Sequence, residues 1–149
     1  MGETYDGFSQ RFEIIGGNFS RAGSISTLVK EILQDVGIDS TIMRRAAIAS
    51  YEAEMNVVMY ADRGEFTLEV NPQRITITIS DRGKGISDIG LAMQEGYSTA
   101  TDEMREMGFG AGLGLPNIKK NADRFEIDSI PGKGTDLKIT FDLNRGKDA

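Results

Sequence analysis

The chain has 149 residues, of which 39% are hydrophobic and 27% charged, and its formal net charge is −6. A chain of this length can bury a core of its own, so we expect one domain over residues 1–149 with its core at about 10–143. The absence of cysteine and histidine excludes disulfides, thiolate nucleophiles, Ser-His-Asp triads and ordinary zinc sites.

A strand and a helix are predicted for the first quarter of the chain. Residues 1–10 are polar and expected to be loose, residues 11–15 alternate as an edge strand does, and residues 16–18 form a turn. From Ser20 onward, apolar residues recur at the spacing of one helix face: Ile25, Leu28, Val29, Ile32, Leu33 and Val36. Gly37 suits the end of this helix because glycine adopts the left-handed conformation of a C-cap without strain.

A second helix and a hairpin follow. Asp39 or Ser40 can cap the helix, which we expect to run to about Asp62. Within residues 66–79, two strands of alternating apolar and polar residues flank a tight turn at 71–73. Such alternation gives each strand one buried and one solvated face, which is typical of antiparallel sheets.

The remainder of the chain predicts a glycine-rich segment, a helix and two strands. Residues 81–115 lack clear periodicity, apart from a short helix expected at about 88–94, and a stretch this long suits a functional lid. Pro116 is expected at the first position of a helix that ends near Asp123. The closing strands are expected at residues 124–129 and 136–143, with a turn at 130–134. The order of elements predicts an α+β two-layer sandwich, a mostly antiparallel sheet with helices on one face.

Charge and hydropathy also restrict the partners. The acidic balance argues against a nucleic-acid surface, and no apolar run is long enough to cross a bilayer. Residues 1–6 have neither the basic region nor the apolar core of a signal peptide. We therefore expect a cytoplasmic protein without nucleic-acid or membrane partners.

The first candidate site is a polar pair on the second helix. Glu52 and Asn56 are four residues apart, so they share one side of the helix, next to an arc formed by Ile48, Met55 and Met59. A carboxylate beside a carboxamide at the edge of a core suits an oxygen-rich site for Mg²⁺ and phosphate. The same pair also fits an ordinary solvated helix flank, so both interpretations stand at this point.

The second candidate site begins at Asp81, directly after an isoleucine-rich strand. Gly83 and Gly85 follow at alternate positions and allow the backbone to approach a flat ligand closely, while the carboxylate can accept a hydrogen bond from an exocyclic amine. A surface turn capped by aspartate is the other interpretation.

Two further glycine motifs follow downstream. Alternating glycines precede Pro116, at positions Gly108, Gly110, Gly112 and Gly114. Glycines can turn successive N–H groups toward one anion, and the helix N-terminus behind them adds its dipole, which favours a phosphate cradle over a merely flexible loop. No Gly-Lys-Ser/Thr follows, so this is not a Walker A loop. The second motif, at residues 132–135, reads Gly-Lys-Gly-Thr and by itself predicts only a hairpin turn.

The order and spacing of these four motifs resemble the GHKL ATPase superfamily, and most of all the stand-alone bacterial serine-protein kinases and anti-sigma regulatory factors. The resemblance covers about residues 10–143, where Glu-x-x-x-Asn, Asp-x-Gly-x-Gly, the glycine-rich segment and Gly-x-Gly-Thr occur in the order of that family. Residues 56–61 and 92–99 resemble the stressosome switch-kinase branch in particular. The resemblance implies the Bergerat-type ATP-binding fold.

The resemblance also implies ATP and Mg²⁺ as cofactors and a role for each matching residue. Glu52 would be the general base, Asn56 would hold Mg²⁺ against the phosphates, and Asp81 would bind the adenine amino group. The other nucleotide-binding positions would be Gly83, Gly85, Ile86, Gly108, Gly110, Gly112, Leu113, Gly114 and Thr135. An ATP lid would span about residues 87–114.

The activity implied by the resemblance is ATP-dependent serine/threonine phosphorylation of a small STAS-type anti-sigma-factor antagonist. The alternative is a nucleotide-gated binding protein that holds a sigma factor or another regulator without turnover. A third reading is the catalytic half of a split sensor kinase, which requires the phosphorylated histidine to lie on another chain because this chain has none. The resemblance leaves a homodimer open.

Overall fold

The computed structural model describes residues 7–83, 85–86, 89–94 and 114–143. Its strands are β1 (Phe8–Ile15), β2 (Ala61–Val70), β3 (Arg74–Gly83), β4 (Arg124–Ile130) and β5 (Gly134–Asp142). They form one sheet in the order β1-β2-β3-β5-β4, and every pair of neighbours is antiparallel. The predicted antiparallel sheet and its 66–79 hairpin are therefore confirmed, and β1 lies at one edge of this sheet as expected.

The helices within these ranges are α1 (Ser24–Asp35), α2 (Ser40–Tyr60), α3 (Ile89–Ala92) and α4 (Gly114–Asn121). The long helix α2 packs against α1, against α4 and against the sheet, so it organises the helical layer. The short helix expected near residues 88–94 is confirmed as α3. None of these helices combines the length and the apolar character that crossing a bilayer takes.

The core lies between the sheet and the helices. Alternate residues of the three central strands are buried: Phe66, Leu68, Val70, Ile75, Ile77, Ile79, Leu137, Ile139 and Phe141. Polar residues such as Thr67 and Thr76 occupy the intervening positions and point to the opposite face, because successive strand residues alternate. This separation of the faces confirms the α+β two-layer prediction.

The structure corrects the boundaries at the N-terminal end. Residues 8–10 belong to β1 instead of a loose segment. The first helix begins at Ser24, four residues later than predicted, because Gly23 has a positive φ of 92° and residues 19–21 form a separate 3-10 turn. Two members of the predicted apolar stripe, Leu28 and Val36, are 42% and 43% exposed and lie outside the core.

The two later helices also differ in length from the prediction. Of the two candidate caps, Asp39 is the one that caps α2, since its side chain accepts from the N–H groups of Thr41 and Ile42. The helix ends at Tyr60 instead of Asp62 because the chain turns extended to enter β2.

Helix α4 begins at Gly114, so Pro116 is its third residue instead of its first. Proline is tolerated there because the N–H groups of the first turn have no acceptor within the helix. The helix ends at Asn121 because the N–H of Asp123 donates to the carbonyl of Thr140 in β5.

Candidate functional site

Helix α2 presents Glu52 and Asn56 on its flank. Both side chains are half-buried, while the neighbouring Met55 is 4% exposed and belongs to the core. The predicted position at the edge of the core is therefore confirmed, although Ile48 is 38% exposed and does not belong to the buried arc. Within the ranges that the structure describes, the Asn56 carboxamide makes no hydrogen bond, so its oxygen and nitrogen are free for a ligand.

The carboxylate of Glu52 lies against the first turns of α4. The side-chain amide of Asn117 donates to Glu52 Oε2 over 3.1 Å. A Cβ atom placed on Gly114 would lie 3.5 Å from Glu52 Oε1. The structure thus brings together Glu52 and the last glycine of the glycine-rich segment, as the nucleotide-site hypothesis requires.

Asp81 and Thr135 form the second half of the site. The backbone N–H of Thr135 donates to Asp81 Oδ1 over 3.1 Å. Burial is the main cause that raises the pKa of Asp81, and the charge of Asp136 raises it further, while hydrogen bonds from the N–H groups of Thr135 and Gly83 lower it. The carboxylate that was predicted to bind an amine is thus held by a backbone N–H of the neighbouring strand β5.

Ser129 connects three segments of this half-site, and none of the sequence motifs includes it. Its hydroxyl accepts from the N–H of Ile86 over 2.7 Å, donates to the carbonyl of Gly134 and lies 2.8 Å from Thr135 Oγ1. Ser129 is the pairing partner of Thr135 across the β4–β5 hairpin, six residues earlier in the chain. Recognising this hairpin in the sequence would have identified it. Ser129 therefore fixes Ile86 relative to Thr135.

Three glycines at this half-site let backbone segments of the chain approach one another. A Cβ on Gly83 would lie 2.8 Å from the Tyr60 carbonyl oxygen, and one on Gly85 would overlap the carbonyl oxygen of Ile130. Gly134 has a φ of 145°, and a Cβ there would overlap the carbonyl oxygen of Asp81. Part of the reason for these glycines is thus internal packing, in addition to any close approach of a ligand.

Gly64 is the point where the two halves of the site meet. It pairs with Asp81 across β2 and β3. A Cβ on Gly64 would lie 3.0 Å from both methyl groups of Val57 and 3.3 Å from the Cβ of Asp81. Since Val57 follows Asn56 directly on α2, this contact places the helix that bears Asn56 against the strand pair that bears Asp81.

Glu54 is a further polar residue of α2 whose environment the sequence did not reveal. It is 2% exposed and accepts from the N–H groups of Gly23, Ile25 and Ser26 at the start of α1. Its spacing of four residues from the buried Ser50 and Val58 was a signal that it lies on the buried stripe.

Several predicted site residues lie outside the described residues. These are Gly108, Gly110, Gly112 and Leu113 of the glycine-rich segment. The predicted lid of residues 87–114 falls mostly in the same range, so its geometry stays a prediction.

Comparison with known proteins gives one family match and a set of relatives. The family model of histidine kinase-, DNA gyrase B- and HSP90-like ATPases matches residues 39–145. The chain is 30% identical over 115 residues to the serine/threonine-protein kinase RsbT of Bacillus subtilis, a match that covers 74% of this chain and 80% of that protein.

Two further relatives are matched over very different fractions of their own length. An anti-sigma F factor of Caldanaerobacter subterraneus is 29% identical over 126 residues, covering 85% of this chain and 80% of that protein. The sensor protein kinase GraS of Staphylococcus aureus is 30% identical over 83 residues, which is 53% of this chain but only 24% of GraS. The similarity thus extends over most of the small regulators and over only a part of the sensor kinase.

Proposed function

The chain belongs to the family of histidine kinase-, DNA gyrase B- and HSP90-like ATPases, and from this premise we propose that it is a serine/threonine-protein kinase that uses ATP and Mg²⁺. The observation that carries the proposal is the junction at Gly64, where a Cβ atom would contact both the Cβ of Asp81 and the methyl groups of Val57 on the helix that bears Glu52 and Asn56. An ATPase domain of this family binds ATP, and this junction supplies groups for the two ends of that molecule.

The base end of ATP is assigned to the half-site around Asp81. The carboxylate accepts from the adenine amino group, and Thr135 supports it from the neighbouring strand, where its N–H holds Asp81 Oδ1 in place. Gly83, Gly85 and Ile86 form the backbone beside the base. Burial raises the pKa of Asp81, and in its ionised form the carboxylate can accept a hydrogen bond from a donor such as the adenine amino group.

The phosphate end is assigned to α2 and to the segment that leads into α4. The free carboxamide of Asn56 fits Mg²⁺, an ion that favours oxygen ligands and needs few from the protein. When bound, Mg²⁺ neutralises charge on the phosphate oxygens. The backbone N–H groups of Gly108, Gly110, Gly112, Leu113 and Gly114 would bind the phosphates.

The catalytic residue in this proposal is Glu52. Its carboxylate takes the proton from a serine or threonine hydroxyl of the partner while the hydroxyl oxygen bonds to the γ-phosphorus. The bond from that phosphorus to the bridging oxygen breaks, which leaves ADP and a phosphorylated side chain. Phosphoryl transfer depends mainly on positioning and charge neutralisation, so few protein groups suffice.

The proposed substrate is a small STAS-type anti-sigma-factor antagonist. Support comes from the relatives, one of which is named a serine/threonine-protein kinase and another an anti-sigma F factor. Phosphorylation adds charge to such a protein and can switch its binding. Because ATP is the phosphoryl donor, the proposal places the reaction in the cytoplasm.

A second candidate function is nucleotide-dependent binding of a sigma factor without turnover. The match to an anti-sigma F factor over 85% of this chain favours it. Under this alternative the site binds Mg²⁺ and ATP, but Glu52 is dispensable.

The decisive experiment combines calorimetry with transfer from γ-labelled ATP to candidate STAS-type proteins. We expect Asn56→Ala to lose Mg²⁺-dependent ATP binding. We expect Glu52→Gln to bind ATP as the wild type does and to transfer phosphate only at a small residual rate, because positioning and charge neutralisation remain. Glu31→Gln is the matched control, because it makes the same substitution at an exposed position of α1 and should change neither measurement.

The outcomes separate the two candidates. ATP binding by the wild type without transfer to any candidate, combined with ATP-dependent capture of a sigma factor, would favour the binding protein. Normal transfer by Glu52→Gln would contradict the assignment of the general base. No heat on titration of ATP with Mg²⁺ would overturn both candidates.

A further inference from the structure

Asn117 lies one helical turn beyond the start of α4 and faces the candidate general base. Its side-chain nitrogen is 3.1 Å from Glu52 Oε2, over a sequence separation of 65 residues. Among the described residues, it provides the one hydrogen bond that reaches the Glu52 carboxylate. None of the motifs in the sequence selects Asn117.

The position of Asn117 is fixed by packing and by hydrogen bonds on α4. Its neighbours Pro116 and Ile118 are buried, which sets the rotation of the helix. The side chain of Asn121 donates to the Asn117 carbonyl over 2.8 Å, and Arg45 Nε donates to the Asn121 carbonyl over 2.8 Å.

Helix α2 thus contacts both ends of α4, with Glu52 near its N-terminus and Arg45 at its C-terminus. Each charge has the sign that the helix dipole favours at that end. These contacts anchor α4, and with it Asn117, against the helix that carries Glu52.

The hydrogen bond makes the two oxygens of Glu52 unequal. Oε2 accepts from the amide, whereas no hydrogen bond from a described residue reaches Oε1. Oε1 lies 3.5 Å from the point where a Cβ on Gly114 would stand, so a larger residue there would place a side-chain carbon against this oxygen. A carboxamide donates to a carboxylate but does not take up its proton at ordinary pH, so Asn117 can orient the base without competing for the transferred proton.

We propose that Asn117 is a positioning residue for phosphoryl transfer, which holds Glu52 by Oε2 so that Oε1 faces the hydroxyl of the protein substrate. This inference rests on the proposed kinase function. A merely structural link between α2 and α4 would affect transfer whether or not Glu52 is present. The proposed role of Asn117, in contrast, requires the Glu52 carboxylate.

The test is a double-mutant cycle in the full-length protein with γ-labelled ATP and a phosphorylatable partner. We expect Asn117→Ala to lower kcat about 10- to 100-fold with unchanged KM for ATP and partner, since it removes one charge-assisted hydrogen bond that orients the base. Asn117→Asp should lower kcat at least as much, because it sets a second carboxylate against Glu52. On the Glu52→Gln background, Asn117→Ala should cause no further loss.

Lys119→Ala on the exposed side of the same helix is the matched control and should leave kcat and KM unchanged. The thermal midpoint of each variant identifies loss of fold, and the shape-conserving Asn117→Asp keeps the test valid if Asn117→Ala unfolds. Equal effects of Asn117→Ala with and without Glu52→Gln, or a change in KM alone, would overturn the proposal.

A second measurement does not depend on kinase activity. The side-chain amide signals of Asn117 in a ¹⁵N-labelled sample, assigned by their loss in Asn117→Asp, should shift when Glu52 is changed to Ala and stay unchanged in Glu31→Ala. A wild type that transfers no phosphate contradicts the proposed function, whereas unshifted amide signals contradict the role of Asn117.

Discussion

The carboxylate of Glu54 accepts a hydrogen bond from the backbone N–H of Ser26 over 3.2 Å, although 28 residues separate them in the chain. The same carboxylate accepts from the N–H groups of Gly23 and Ile25. Gly23 has no side chain to cap α1, so a residue of α2 supplies the cap instead. A negative charge at a helix N-terminus also interacts favourably with the helix dipole.

Truncation of Glu54 should therefore destabilise the fold strongly. We expect Glu54→Ala to lower the free energy of unfolding by about 2–4 kcal/mol, because it leaves buried N–H groups unpaired and opens a cavity. Urea unfolding followed by circular dichroism measures the change. Glu31→Ala, at an exposed position of α1, should change stability by less than about 0.5 kcal/mol. Equal effects of the two substitutions would refute the capping role.

The pH dependence of stability should also depend on Glu54. Burial raises the pKa of this carboxyl group above the ordinary glutamate value of 4.5, against the three N–H donors that lower it. On a rise in pH the unfolded chain releases this proton first, so the stability contributed by the group is complete below about 4.5 and is lost as the pH passes the raised pKa. Between pH 4.5 and the raised pKa, the free energy of unfolding of the wild type should therefore fall relative to that of Glu54→Gln. At higher pH the difference between the two proteins should stay constant. Denaturant titrations at several pH values measure both.

ATP affinity should decrease on acidification because of Asp81. The pKa of this carboxyl group is raised above the ordinary aspartate value of 3.8, mainly by burial, so it takes up a proton at a higher pH than an exposed aspartate does. The protonated group is a poor acceptor for the adenine amino group. Calorimetric titrations should show affinity that declines as the pH falls through the raised pKa, and Asp81→Asn should bind weakly at every pH. Affinity in the wild type that does not change across this range would exclude Asp81 as the adenine ligand.

Ser129 should contribute to ATP affinity without contact with the nucleotide. Ser129→Ala leaves the N–H of Ile86 without its acceptor and frees Thr135 Oγ1 to reorient. We expect a decrease in ATP affinity of roughly 5- to 10-fold, the effect of one lost hydrogen bond in a half-buried network. Ser9→Ala, at an exposed position of β1, is the control and should bind ATP as the wild type does. An unchanged dissociation constant for Ser129→Ala would show that the network does not position the pocket.

The contact between Gly64 and Val57 should be revealed by a compensating pair of substitutions. Gly64→Ala places a methyl group 3.0 Å from both Cγ atoms of Val57, which is fully buried and has little room to move. We expect a loss of about 1–2 kcal/mol in stability from this overpacking. In the double variant Gly64→Ala/Val57→Ala the loss should be smaller than the sum of the two single losses. Additive losses measured by urea unfolding would mean that these residues do not interact.

The sequence alone established the element order and the alternating strands, because both depend on local backbone geometry. It also contained the four motifs, since each is formed by residues that are close together in the chain. Ile75, Ile77 and Ile79 predict a strand with one buried face wherever that strand lies in the fold, since successive residues alternate. The helix boundaries were less accurate, because contacts outside the helix set them: the pairing of Asp123 with Thr140 ends α4.

The tertiary structure alone decided the partners of individual polar groups. The contacts of Asn117 with Glu52 and of Thr135 with Asp81 span 65 and 54 residues, so no periodicity in the sequence encodes them. Glu54 illustrates the physical reason: a glutamate on a helix is either solvated or buried with donors, and the choice depends on which backbone N–H groups the fold brings to its carboxylate.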